Sequence, residues 1–319
     1  MKAASTTLLA GELAVEPEPA SKSKRRLRIV LLAAFVFLWS GLSYPQSRQE
    51  PPSSSPATVL ITARTKSGAT PELSPADLEI KEDGKQATIH EVRRLGGTPL
   101  HYCVLFDTSG SEREKFQLQQ GAAAELLKEV VQPGRDRGWL VLFNDRVYLG
   151  QESQDPQAVM KAIARAWSHG GTALYDAMVT CADRMWKSAP GLGLHTVFIF
   201  SDGQDNASHT NRDSTVSALL RSGLRVYAVG QQTKEPNSKG PRVLKQFAER
   251  TGGKVYFPSK EEDVNKSVAD IANDLASSLL VTYSPPEEKP DEKLHKLEVK
   301  CSKKDLLIKA PDRHYTPKP

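Results

Sequence analysis

From residue 102 onward, short unbroken apolar runs alternate with stretches whose apolar residues recur at helical spacing. Segments 102–106 (YCVLF), 139–143 (WLVLF) and 196–200 (TVFIF) are continuous runs of strand length, as expected for strands covered on both faces. Segments 225–229 and 255–257 repeat that texture. Between these runs the spacing predicts helices over 114–131 (Phe116, Ala123, Leu126, Leu127 and Val130 on one face), 155–167, 173–187, 215–222, 243–250 and 262–280, the last with Val264, Val268, Ile271, Leu275 and Leu279 in line. Pro133-Gly134 stops the first of these. Asp155 is placed to cap the second, with Pro156 at its first helical position. Asn144-Asp145 is a turn that sends 146–149 back as an antiparallel edge strand. Alternating strands and helices predict an α/β fold, a Rossmann-like doubly wound sheet that is mostly parallel with one antiparallel edge strand.

The flanks read differently. Segment 57–98 is β-rich: 59–64 and 78–81 alternate, Asp83-Gly84 is a hairpin signal, and 87–92 is the expected return strand. Segment 283–319 opens with a charged, Pro-rich loop and continues into a strand carrying Leu297, Val299 and Cys301, with 306–308 as its partner. Each flank is too small to fold alone, so the two are expected to pair as one side sandwich beside the α/β domain of 99–282.

The amino-terminal end changes the picture of where the protein works. A basic cluster over 22–28 precedes an apolar run over 29–39 and the small residues Gly41 and Ser43. Residues 1–43 therefore read as a secretory signal peptide or, if uncleaved, a signal anchor. The run is short for a span, which takes about 20 residues. A Ser/Pro-rich linker, 44–56, follows. Either reading exports the rest of the chain to the periplasm, cell envelope or extracellular space, with membrane contact only through an uncleaved leader.

Composition is that of a globular protein: 319 residues, 39% hydrophobic and 25% charged, which excludes wholesale disorder. The net charge of +5 is concentrated in the leader, because the residues after Ser43 hold 37 basic and 35 acidic side chains. That balance points away from nucleic acid. No phosphate-cradling glycine motif is present, so no nucleotide is expected. The three cysteines, Cys103, Cys181 and Cys301, have neither metal-ligand spacing nor the pattern of a disulfide framework.

In an open α/β sheet, ligands sit beyond the carboxyl ends of the strands. After the first buried strand comes Asp107-Thr108-Ser109-Gly110-Ser111; after the third comes Asp202-Gly203; Thr172 lies in a double-glycine loop between them. Asp107, Ser109, Ser111, Thr172 and Asp202 are hard oxygen donors, a set that suits Mg²⁺ or Mn²⁺ and leaves a coordination place open. With mostly neutral direct ligands, the ion keeps charge with which to attract a carboxylate from another molecule.

These residues resemble the von Willebrand factor type A (VWFA) domain. Asp107-x-Ser109-x-Ser111 matches the opening motif of its metal-ion-dependent adhesion site. Thr172 in Gly-Gly-Thr-Ala-Leu-Tyr-Asp-Ala matches its separate threonine, and Asp202 in Phe-Ser-Asp-Gly its final aspartate. The flanks, 73–85 (LSPADLEIKEDGK) and 281–300 (VTYSPP…HKLEVK), are similar to an exported bacterial family of VWFA-related domain proteins. The resemblance implies a non-enzymatic module that binds a protein partner, whose Glu or Asp completes the metal shell. Glu112 departs from the motif, since an apolar residue is common there, and it adds negative charge near the site.

Other readings stay open at this stage. The protein could be a structural subunit of a cell-envelope assembly whose contacts ignore the metal. Ser109 and Ser111 could merely cap a helix and Asp202 merely begin a turn. A serine hydrolase built on Ser109 would need a base; His169-Gly170-Gly171 follows the serine, whereas the lipase oxyanion loop precedes it, and G-x-S-x-G is absent. Asp205-Asn206 is either hydrogen-bonding support for the site or a solvated turn. Asp176 is read as helix-start electrostatics, and Trp139, Trp167 and Trp186 as packing residues.

Overall fold

The computed structural model describes residues 56–188, 193–231, 238–286 and 291–315. The expected leader and residues 44–55 of the expected linker lie outside them. Within the described residues, fourteen strands and six α-helices follow in chain order. The first four strands are β1 (Ala57–Thr65), β2 (Leu78–Glu82), β3 (Lys85–Gln86) and β4 (Thr88–Arg94). The α/β region comprises β5 (Leu100–Asp107), α1 (Phe116–Val130), β6 (Arg137–Phe143), β7 (Val147–Leu149), α2 (Pro156–Ala164), α3 (Leu174–Ser188), β8 (Leu194–Phe200), α4 (Arg212–Arg221), β9 (Arg225–Val229), α5 (Gly240–Arg250), β10 (Lys254–Tyr256) and α6 (Glu261–Ala276). Then come β11 (Ser278–Ser284), β12 (Leu294–Cys301), β13 (Leu306–Lys309) and β14 (Arg313–Tyr315).

The central sheet has the order β10-β9-β8-β5-β6-β7, parallel except for β7, which runs antiparallel to β6. Alternation along β5 divides the core. Tyr102, Val104 and Phe106 join α1, α2 and α6 on one face. Cys103 and Leu105 join α3, α4 and α5 on the other. This is why the strand sequences are apolar throughout rather than alternating. The chain leaves β5 toward β6 on one side and reaches β8 on the other, so the order reverses between β5 and β8. Asp155 caps α2 as expected, its Oδ1 accepting from the Gln157 N–H at 2.9 Å. The three cysteines are free thiols.

The flanks meet in a two-sheet sandwich, with orders β13-β1-β11-β4 and β14-β12-β2-β3. Val59, Ile61, Ile80, Leu279, Val281, Tyr283 and Leu297 fill the space between the sheets. Three expectations are corrected here. The segment 306–308 lies in β13, which pairs with β1 in the other sheet and not with β12. The last helix stops at Ala276 rather than near Leu280, because alternation takes over: Leu279, Val281 and Tyr283 face the sandwich core, whereas Leu280 faces the α/β core. β11 therefore carries the chain across residue 282. The return strand after Asp83-Gly84 shrinks to the two residues of β3, and β4 pairs instead with β11. Buried Trp139 packs as expected, but Trp167 and Trp186 are 71% and 54% exposed. Among the described residues, no helix is long and apolar enough to cross a membrane.

Candidate functional site

The site lies where β5 and β8 end side by side. Asp107 is the last residue of β5 and is fully buried. Its Oδ1 accepts the Ser109 N–H at 2.8 Å, and its Oδ2 accepts the Ser201 hydroxyl at 2.6 Å. The Ser109 and Ser111 hydroxyl oxygens are 3.0 Å apart. Neither hydroxyl caps a helix: Ser109 precedes the short turn over Gly110–Glu112 without a side-chain cap bond, and α1 begins after Lys115. Asp202 does begin a turn, its Oδ1 accepting from Gln204 N at 2.9 Å, while Gln204 Nε2 donates to Oδ2 at 3.0 Å.

Thr172 is 2% exposed and sits on the loop that docks against both strand ends. Gly110 N donates to Gly170 O at 3.0 Å, on the Asp107 side. On the Asp202 side, Thr172 N donates to Asn206 Oδ1 at 2.8 Å, and Asn206 N and Ala207 N donate back to Thr172 O at 3.0 and 2.9 Å. Asp205-Asn206 is thus hydrogen-bonded to the Thr172 loop, although Asn206 itself is exposed. Asp205 Oδ2 also receives Tyr175 N at the start of α3, at 3.0 Å. Asp176 stands apart from the acidic group and ties down the same loop, accepting from His209 N and Thr210 N at 2.9 Å each. Burial opposes its ionisation, but those donors hold its carboxyl down at about 2.

The sequence places Glu112 near the site; the structure puts it inside. Glu112 is fully buried, Oε1 accepting the Asp202 N–H at 2.6 Å and Oε2 accepting Gln231 Nε2. One carboxylate oxygen from each of Asp107, Glu112 and Asp202 lies within 4.8 Å of the others. Among the described residues, no Lys or Arg forms an ion pair with any of the three. Burial pushes the Glu112 carboxyl well above its ordinary range, and the charges of Asp107 and Asp202 push it the same way. Burial also raises Asp107, with Asp202 adding to the effect and hydrogen bonds from Ser201 and Ser109 opposing it. Ser201, Gln204 and Gln231 were not singled out from the sequence. Only Ser201 had a usable signal, its place directly after an apolar strand.

Buried carboxylates with no cationic partner among the described residues, beside two paired hydroxyls, are an oxygen-donor set that fits a hard divalent cation. The set does not resemble a hydrolytic triad. The Ser109 hydroxyl is paired with Ser111, and among the described residues no histidine hydrogen-bonds it. The His169 ring engages Asn144 Nδ2 at 3.0 Å through Nε2 and stacks on Trp167.

Residues 102–204 match the family model described as the von Willebrand factor type A domain, the same domain that the motif resembles. No curated protein matches the chain. Among solved structures, a von Willebrand factor type A protein from Catenulispora acidiphila is similar at 12% identity over 74% of this chain and 73% of that one, with a TM-score of 0.48. An aerotolerance-related membrane protein from Bacteroides fragilis is similar at 14% identity over 55% of this chain and 98% of that one, with a TM-score of 0.45. Proximal thread matrix protein 1 from the mussel byssus, in a structure with a zinc-occupied MIDAS motif, is 20% identical over 60% of this chain and 48% of that one, with a TM-score of 0.45.

Proposed function

We propose that this protein is an exported binding module whose VWFA domain engages a protein partner through a divalent cation, Mg²⁺ or Mn²⁺. Asp107, Ser109, Ser111, Thr172 and Asp202 would hold the ion, and a Glu or Asp of the partner would complete its shell. The observation that carries this reading is the pairing of Ser109 with Ser111 beside the facing Asp107 and Asp202 carboxylates, with neither hydroxyl spent on a helix cap. When bound, the ion would supply a concentrated positive charge at the sheet edge. The chain's part is to orient oxygens: Ser201 and the Ser109 N–H fix Asp107, Gln204 fixes Asp202, and Asn206 fixes the Thr172 loop. The cell envelope or the space outside the cell is the proposed place of action, on the strength of the leader sequence.

A ligand that binds only the folded state raises the melting temperature. The full chain is therefore expected to melt higher in millimolar Mg²⁺ or Mn²⁺ than in EDTA, and Asp107→Ala to lose that difference. An equal rise in wild type and variant would contradict the reading. Metal-independent binding of a partner by both proteins would favour the envelope-scaffold alternative.

A further inference from the structure

Glu112 is as fully buried as Asp107 and belongs to the same acidic group. Its two oxygens are held by donors at the ends of two different strands: Asp202 N just beyond β8, and Gln231 Nε2 two residues beyond β9. Among the described residues, the donors to all three carboxylates are N–H and O–H groups, each of which eases one charge and none of which carries a whole positive charge. The oxygens of Asp107, Glu112 and Asp202 lie within 4.8 Å of one another. Around an ion with metal–oxygen bonds of about 2.1 Å, adjacent ligands are about 3 Å apart and opposite ones about 4 Å, so a small inward shift of these side chains would bring the three carboxylates into a single shell. Ser111 is exposed whereas the next residue, Glu112, is fully buried. Glu112 thus joins the acidic group without taking up solvent-exposed surface.

We propose that Glu112 is a third carboxylate toward the ion, supplied from the buried side, so that this chain holds its divalent cation with its own residues before any partner arrives. The inference rests on the metal-site reading and deepens it. Held by Gln231 and the Asp202 N–H, the carboxylate is oriented in advance, as metal ligands are when further hydrogen bonds fix them. Its charge offsets part of the ion's charge from within. Metal affinity then belongs to the chain alone, and the pull on a partner's carboxylate is moderated.

The test is calorimetric titration of the full chain with Mg²⁺ and with Mn²⁺, comparing wild type, Asp107→Ala, Glu112→Gln and Glu112→Met. Circular dichroism and metal-free melting confirm that each variant folds. Glu112→Gln keeps the size and an oxygen for the Asp202 N–H; Glu112→Met fills the space without polarity and gives a second neutral replacement should the first fail to fold. Wild type is expected to bind one ion without a partner, Asp107→Ala to lose binding, and both Glu112 variants to bind about tenfold or more weakly. If Asp107→Ala loses binding while the Glu112 variants bind within about twofold of wild type, or more tightly, Glu112 is no ligand and only this inference falls. If Asp107→Ala binds like wild type, or wild type binds nothing, the metal-site reading falls with it.

Discussion

Gly203 is where the residues of the site and the packing of the fold constrain each other most closely. Its φ is +80°, and a Cβ there would meet the Gly240 carbonyl oxygen at 2.4 Å; a Cβ on Gly240 would in turn meet the Asp202 carbonyl oxygen at 2.1 Å. Only two glycines let the start of α5 sit against the loop that carries Asp202. Gly203→Ala combines a strained backbone with a backbone clash and is expected to lower stability by about 2 kcal/mol or more, measured by urea unfolding. It should also weaken metal binding by displacing Asp202. At this scale the sequence was informative where chemistry is local. Asp107, Ser109 and Ser111 fall within five consecutive residues, and Asp202 stands directly after an apolar strand. Glu112 was visible only as a misfit in the motif. Its partner Gln231 was not visible at all, because that contact exists only once β9 has been laid beside β8.

At the scale of elements, the sandwich and the α/β domain are joined by charge as well as by β11. Arg64 on β1 pairs with Asp270 and Asp274 on α6; Lys309 on β13 also reaches Asp274, and Lys254 on β10 reaches Asp270 at 2.5 Å. Asp274 is fully buried. Burial opposes the ionisation of Asp270, but its bonds to Lys254, Tyr256 and Arg64 hold its carboxyl far below the usual range. Removing one member of a buried ion pair leaves the other uncompensated, so Asp274→Ala is expected to cost about 3 kcal/mol or more, read as a lower urea midpoint with an unchanged slope. Burial of polar groups on α6 was not legible in the sequence, since Asp270 and Asp274 lie one turn apart beside an apolar stripe and read as a solvated edge. The end of α6 was missed for a related reason. Leu275 and Leu279 fit a helical period, and the competing alternation of Leu279, Val281 and Tyr283 gains meaning only when a second sheet is there to receive it. The parallel strands were legible because burial on both faces leaves a mark in the sequence that needs no partner to interpret.

For the molecule as a whole, two partly buried histidines contribute to its response to mild acid. Burial lowers His195 to about 4, and nearby His101 adds to the effect. Burial likewise lowers His314 to about 4, with His295 contributing. The unfolded chain takes up these protons near pH 6.5, while the native protein resists until about pH 4. The unfolded state therefore binds more protons between those values, and stability falls as pH falls from 6.5 to 4. Each group accounts for a loss on the order of 3 kcal/mol across that window. His195→Leu should flatten this limb of the melting-temperature profile relative to wild type; an unchanged profile would show that the native His195 is already free to protonate.

The strand order also brings Asp107, Glu112 and Asp202 together at the carboxyl ends of the central strands. Crystals of the full chain grown with Mn²⁺ and measured at the manganese absorption edge would test the central claim most directly. One anomalous peak is expected among the oxygens of Ser109, Ser111 and the acidic residues at the ends of β5 and β8, absent from Asp107→Ala crystals. Well-ordered crystals in millimolar Mn²⁺ with no peak there, or with the same peak in the variant, would contradict it.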